Sequence, residues 1–163
     1  MTDKAAFSDE EWMRLKRAPF VAGMAISFAD PGGPIELAKE TAATLRTVVN
    51  AGDRGAFVDA IAREAEADAR AHQNPLKEFK PRGALASTEI LEELKAVNTI
   101  VSEKARPEEA EAYRTWLRDA AREAADAAKE GGFFGFHAVR VSEGEQRMLD
   151  TLDEALRPPA SPG

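Results

Sequence analysis

The stretch GGFFGFHAVR at residues 131–140 places one of the two histidines of the chain beside three phenylalanines. The imidazole of His137 has an ordinary pKa of about 6.5, which suits proton transfer at neutral pH. An apolar pocket can also raise the pKa of a neighbouring carboxyl group, such as Glu123 or Glu130, into the range of a general acid. These residue types therefore leave acid–base catalysis open as one function of the chain.

The same three rings are equally suited to filling a core, because burying each ring contributes on the order of 2 kcal/mol. Three glycines within the stretch supply the backbone freedom to turn the rings inward. We therefore expect a buried aromatic plug that joins the last two helices. The alternative is a ligand or partner pocket lined by Phe133, Phe134, Phe136 and His137.

A second group with ligand chemistry is the row of Glu64, Asp68 and His72. The spacing of four places these side chains on one face of a helix. Successive rungs of such a row lie about 6 Å apart, too far for one metal ion to take all three side chains. We interpret the row as a solvated helix face.

Composition narrows the class of protein. The chain has 163 residues and no cysteine, which fits one domain and excludes disulfides, thiolate metal sites and cysteine nucleophiles. Its net charge is −7, and residues 107–157 carry twelve acidic against seven basic side chains. Because such a surface repels phosphate, we expect no nucleic-acid binding, and we interpret the basic cluster Lys77, Lys80 and Arg82 as a solvated loop.

The apolar segments are too short for a membrane protein. The longest uncharged run, APFVAGMAISFA at residues 18–29, cannot span a bilayer, and the N-terminal residues do not have the pattern of a signal peptide. We predict a cytoplasmic protein without membrane insertion. Residues 1–157 are predicted to form a single helical domain, and residues 158–163 a disordered tail.

The hydrophobic pattern has the helical period almost throughout and predicts an all-α fold, a single-domain bundle of about six or seven helices. The run at 18–29 is apolar on every face, which is typical of a central helix surrounded by others. Pro19 predicts a kink or a fresh helix within the first helical segment. Other helices are predicted to begin after Ser8, Ser87 and Ser142 and at Pro107.

Two segments of the chain are similar to each other and predict a pseudo-repeat of two helix pairs around the central helix. Trp12 matches Trp116, and Ala29 matches Ala128. The Gly-Gly breaks at 32–33 and 131–132 follow at corresponding positions, and each break precedes a glutamate-led helix.

A helix that ends in alanine and a small polar turn, followed by a glutamate-led helix and repeated twice, resembles the TerB-like family of tellurite-resistance proteins. The resemblance covers roughly residues 9–50 and 110–156. It implies a stress-related protein whose acidic turns bind a divalent cation. By position, the turn residues are Asp30 and Glu36 in the first copy and Glu143 and Glu145 in the second. Their oxygen atoms suit calcium or magnesium.

The sequence therefore favours a non-enzymatic binding or interaction module that contacts a protein partner or a second copy of itself. No nucleotide-binding fingerprint, P-loop or nucleophile elbow occurs in it. A divalent-cation-binding protein of the TerB-like type is the alternative. Catalysis at the Phe133–His137 stretch remains the third hypothesis.

Overall fold

The computed structural model describes residues 1–29, 41, 43–48, 50, 52–129 and 141–160, and their regular structure is entirely helical. This confirms the all-α prediction. The described part of α2 is residues 43–48, and short 3-10 helices lie at Lys4–Ala6 and Gly83–Leu85. The other α-helices are α1 (Asp9–Ala29), α3 (Ala56–Arg70), α4 (Ala86–Lys104), α5 (Pro107–Lys129) and α6 (Glu143–Ala155).

Capping boxes define where two of the helices begin. At the start of α1, the Glu11 backbone N–H donates to Ser8 Oγ over 3.1 Å, and the Ser8 N–H donates to the Glu11 carboxylate over 2.7 Å. At α6, Ser142 and Glu145 make the same reciprocal pair. Both starts were predicted and are confirmed, because the bonds are local to four residues.

Two local predictions were wrong or incomplete. Ser87 does not cap α4, because the 3-10 turn before it moves the start of the helix to Ala86, with Leu85 at the N-cap position. Of the two alternatives at Pro19, a kink or a fresh helix, the fresh helix does not form, because α1 continues through that residue. Pro19 is itself buried, so packing around the central helix outweighs the lost backbone donor.

Helix α1 is the centre of the fold, as predicted. It contacts α3, α4, α5 and α6. Its residues 18–23, 25 and 26 are all buried, so this segment is enclosed on every side. Together these helices share one hydrophobic core, which confirms the helical bundle. The pseudo-repeat stays a prediction, although the two matched residues Trp12 and Trp116 are both buried in this core.

A chain of aromatic rings crosses the core and links the N-terminal segment to α5. Phe7 lies 5.6 Å from Trp12 and 5.7 Å from Phe57, measured between ring centroids. Phe57 contacts Tyr113, which packs edge-on against Trp116 at 5.8 Å. The Tyr113 hydroxyl donates to the carbonyl of Leu15 over 2.8 Å, so the buried polar atom is satisfied.

The end of α3 sets the direction of the following segment. His72 has a φ of 56°, the left-handed conformation that usually favours glycine after a helix. The Gln73 N–H donates to the Asp68 carbonyl and the His72 N–H to the Ala69 carbonyl, which is a Schellman motif. The chain is thereby folded back alongside α3, and Leu76 and Phe79 pack against the core.

The end of α6 is held by a buried polar network. The Asn98 amide donates to the carbonyls of Ala155 and Arg157 over 3.1 and 2.7 Å. Arg114 in turn donates to Asn98 Oδ1 over 2.7 Å. Residues 158–160 are exposed and 161–163 lie outside the described residues, so the disordered tail stays a prediction. None of the described helices is both long and apolar enough to span a membrane.

Gly23 brings α1 and α2 into close contact. A Cβ atom added to Gly23 would overlap the Oγ1 of Thr44. Only a residue without a side chain allows the two helices to approach this closely at that position.

We expect Gly23→Ala to destabilise the protein on the order of 1 kcal/mol, because an overpacking cost of roughly 1–3 kcal/mol exceeds the gain in helix propensity. Thermal unfolding measures the effect. Gly52→Ala is the matched control, since a Cβ there meets no atom within 4 Å. Equal stability of Gly23→Ala and Gly52→Ala would show that the helices do not approach in this way.

Candidate functional site

Most residues of the predicted sites lie outside the described residues. These are the aromatic stretch with Phe133, Phe134, Phe136 and His137, and the first-turn pair Asp30 and Glu36. The choice between plug and pocket, and the first half of the cation site, therefore stay predictions.

Glu143 and Glu145, the second half of the predicted cation site, are described and differ in environment. The Glu145 side chain is buried, and its carboxylate accepts the Ser142 N–H over 2.8 Å as part of the capping box. The Glu143 side chain is 95% exposed and lies 3.7 Å from Arg147. The two carboxylates thus face different surroundings. Among the described residues no group of three acidic or histidine side chains could hold a metal ion.

The row on α3 is more closely bound than the solvated face we expected. The Glu64 carboxylate accepts the indole N–H of Trp12 over 2.9 Å and pairs with Lys4. Burial acts to raise the pKa of Glu64, but the hydrogen bonds from Lys4 and Trp12 outweigh it, so the pKa is lowered. Asp68 pairs with Lys16 over 2.5 Å. Glu64 and Asp68 therefore link α3 to the N-terminal segment and to α1.

His72, predicted as the third residue of the row, is not on the helix face, because α3 ends at Arg70 and His72 has the left-handed backbone that follows it. It lines a cleft of about 740 Å³ between α1, α3 and the segment that follows α3. This volume is in the range of small-ligand sites. Met13, Lys16 and Arg17 form its α1 wall, because spacings of three and four put them on one helix face. The rest of the lining is Ala65, Asp68, Gln73, Asn74, Pro75, Lys77 and Glu78.

Arg17 is fixed in the cleft wall by Glu93 of α4. The Glu93 carboxylate accepts two bonds from Arg17, at 3.1 and 2.7 Å, and two from Arg14 at the same distances. Glu93 is only 7% exposed. Burial acts to raise its pKa, but the bonds from both arginines outweigh burial and hold the pKa below its ordinary value of 4.5. One buried carboxylate therefore serves two guanidinium groups.

This arrangement leaves hydrogen-bonding capacity on the cleft wall. Glu93 takes the Nε and Nη2 donors of Arg17, and Nη1 has no acceptor among the described residues. The Arg17 guanidinium also lies 5.2 Å from the centroid of the Phe79 ring, a cation–π contact that further restrains the side chain. At the rim, Lys77 is exposed and forms no ion pair within the described part of the chain. Met13, at 36% exposure, adds an apolar surface.

A second cleft, of about 530 Å³, lies between α2 and α5 and has a different character. Two of its arginines share one carboxylate: Arg54 contacts Asp119 over 2.7 Å, and Arg122 lies 3.8 Å from the same group, while the Nε of Arg54 is buried without a hydrogen-bond partner among the described residues. The described residues of its lining include no large apolar side chain, and three arginines face three acidic residues there. This cleft is therefore the weaker candidate for recognition of a ligand.

Sequence reasoning named three residues of the first cleft, Asp68, His72 and Lys77, but did not identify the cleft. The basic loop is confirmed as exposed at Lys77, Lys80 and Arg82, yet Lys77 also lines the cleft. The sequence did contain one signal of a recognition surface. Met13, Lys16 and Arg17 are spaced to share one helix face, which combines an apolar side chain with two cations.

No protein-family model, curated protein or solved structure matches this chain. Its function is therefore inferred from its own residues.

We expect Glu93→Gln to destabilise the protein by roughly 3 kcal/mol at pH 7, because it leaves two partly buried guanidinium groups without their carboxylate. The lowered pKa means that Glu93 contributes its full stability above about pH 4.5 and loses it as the pH falls further. The variant should therefore lose part of the acid dependence of stability. Urea unfolding across pH 3–7 measures both effects.

The neighbouring substitution Glu92→Gln is the matched control, because the Glu92 side chain is exposed and its one ion-pair partner among the described residues is the exposed Lys95. We expect it to cost less than about 1 kcal/mol. A Glu93→Gln variant as stable as this control would mean that the carboxylate does not hold the two arginines.

Proposed function

We propose that this chain is a non-enzymatic binding module and that the cleft between α1 and α3 is its recognition surface. The observation that carries the proposal is an exposed methionine, Met13, beside an arginine, Arg17, whose guanidinium is fixed by the buried Glu93 carboxylate. Preorganised side chains lose little conformational entropy when a partner binds. Arg17 meets this condition through its bonds to Glu93, and Met13 adds exposed apolar surface at a neighbouring position of the same helix face.

The titration of the described carboxyl groups supports a binding role over acid–base catalysis. The carboxyl groups with shifted pKa values in the described part of the chain are Glu11, Glu64, Glu93 and Glu109, and all are shifted down. A general acid at neutral pH needs the opposite shift. Tyr113 has a raised pKa because it is fully buried, and its hydroxyl is occupied by the Leu15 carbonyl.

We expect Met13→Asp to abolish the retention of partner proteins in affinity capture from a lysate, because it replaces an apolar contact with a charge. Leu85→Asp is the matched control: Leu85 is also an exposed apolar residue, at 66%, and lies outside the cleft. Quantitative mass spectrometry compares the captured proteins. Light scattering of the free chain detects self-association through the same surface.

The proposal fails if the two variants and the original chain retain the same proteins. It also fails if the original chain retains nothing and light scattering gives the mass of a monomer. Circular dichroism of each variant establishes that the helices are intact before the comparison.

We propose as a second candidate a divalent-cation site of the TerB-like type, and one contact favours it. A Cβ atom on Gly144 would lie 2.9 Å from the carbonyl oxygen of Ala29, so the end of α1 adjoins the start of α6. This is the neighbourhood that a site shared by Asp30 and Glu143 requires. The buried Glu145 would support the turn through its capping box rather than as a ligand.

For this candidate we expect calcium or magnesium to raise the melting temperature, since a hundredfold excess of ligand over its dissociation constant stabilises a fold by about 2.7 kcal/mol. Asp30→Asn should remove the shift, and Asp150→Asn on the exposed face of α6 should keep it. A thermal-shift titration checks both. The candidate is discarded if neither cation shifts the transition or if Asp30→Asn responds like the original chain.

A further inference from the structure

We infer that the occupant of the cleft is a short acidic segment of a partner protein that also presents apolar side chains. The inference rests on the proposed binding function and adds the chemistry of the partner. It follows from the charges of the cleft, from the donors left on Arg17, and from the limited extent of the basic surface.

The charge of the cleft has the opposite sign to that of the whole chain. Three cations, Lys16, Arg17 and Lys77, line it against two carboxylates, Asp68 and Glu78. Behind the wall, Arg14 and Arg17 share the single carboxylate of Glu93. The chain as a whole carries −7. Lys16 pairs with Asp68 and Arg17 with Glu93, so the excess of positive charge is small, yet its sign favours an anionic group at this place on an acidic protein.

The N–H donors that Arg17 and Lys16 present in the cleft are suited to bind a carboxylate. Glu93 occupies one edge of the Arg17 guanidinium and leaves Nη1 without an acceptor among the described residues. The Lys16 ammonium gives Asp68 one of its three donors. Because Arg17 is already fixed by Glu93 and by the Phe79 ring, a carboxylate that binds it does not have to order the side chain.

The remaining lining favours a peptide over a nucleic acid. Met13 and Pro75 give the cleft apolar surfaces that match leucine-like side chains of a partner. A nucleic acid carries its charges along an extended backbone, and a strand that left the cleft would meet a net acidic protein. A short peptide can be confined to the cleft and avoids this repulsion.

The test uses the full chain and a short fluorescein-labelled peptide that alternates glutamate with leucine, with binding followed by fluorescence anisotropy. A peptide in which glutamine replaces each glutamate is the neutral control. We expect the acidic peptide to bind and the neutral one to bind at least about tenfold more weakly. Affinity for the acidic peptide should fall as salt is raised.

Two variants locate the binding. Lys77→Glu reverses a charge at the rim and should weaken the acidic peptide about tenfold, whereas Lys95→Glu makes the same change on α4, outside the cleft, and should alter the affinity less than about twofold. Arg17→Lys keeps a cation beside Glu93 and so preserves the fold. The lysine has no group that corresponds to Nη1, which is the donor proposed to bind the peptide. It should weaken binding several-fold.

The inference is overturned if the acidic peptide does not bind, if Lys77→Glu and Lys95→Glu bind it equally, or if a labelled single-stranded oligonucleotide binds more tightly and with the same dependence on Lys77. If the peptide fails while capture of partners still depends on Met13, the binding function stands and only the acidic chemistry is wrong. If both fail, the cleft is not a recognition surface.

Discussion

The pairing of one buried carboxylate with two arginines is the interaction on which the rest of the site depends. An ionised carboxylate buried as deeply as Glu93 is unstable unless cations and hydrogen bonds compensate it. Arg14 and Arg17 supply four such bonds from α1. The buried Glu93 carboxylate therefore also fixes α1 against α4. The same bonds place Arg17 in the cleft wall, where its Nη1 donors meet no acceptor in the part of the chain that the structure describes.

Helix α1 therefore serves two purposes along its length. Its C-terminal half, from Ala18 to Ile26, is almost wholly buried and carries Gly23, where α2 comes close. Its N-terminal half alternates buried residues such as Trp12 and Leu15 with cations that reach α3 and α4. The charged half is oriented by the apolar half, because a helix enclosed on every side has no freedom to rotate.

The features predicted correctly from the sequence are those whose causes are local. The capping boxes at Ser8 and Ser142 need only four residues, and the apolar run at 18–29 identifies the central helix without reference to its neighbours. Glu64 was taken for a solvated residue because its partners, Lys4 and Trp12, lie 60 and 52 positions away. The cleft was missed for the same reason: it exists only where α1 meets α3 and the segment that the Schellman motif turns back.

The two proposed functions occupy opposite ends of α1. Arg17 stands twelve residues before Ala29, so about 18 Å of helix separates the cleft wall from the contact between Ala29 and Gly144. Charges that far apart at the surface are largely screened at physiological ionic strength. A cation bound near Ala29 would therefore have little direct electrostatic effect on the cleft. Because the segment of α1 between these two places is packed in the core, a substitution at either one leaves the other in the same position, and the two candidate functions can be tested separately.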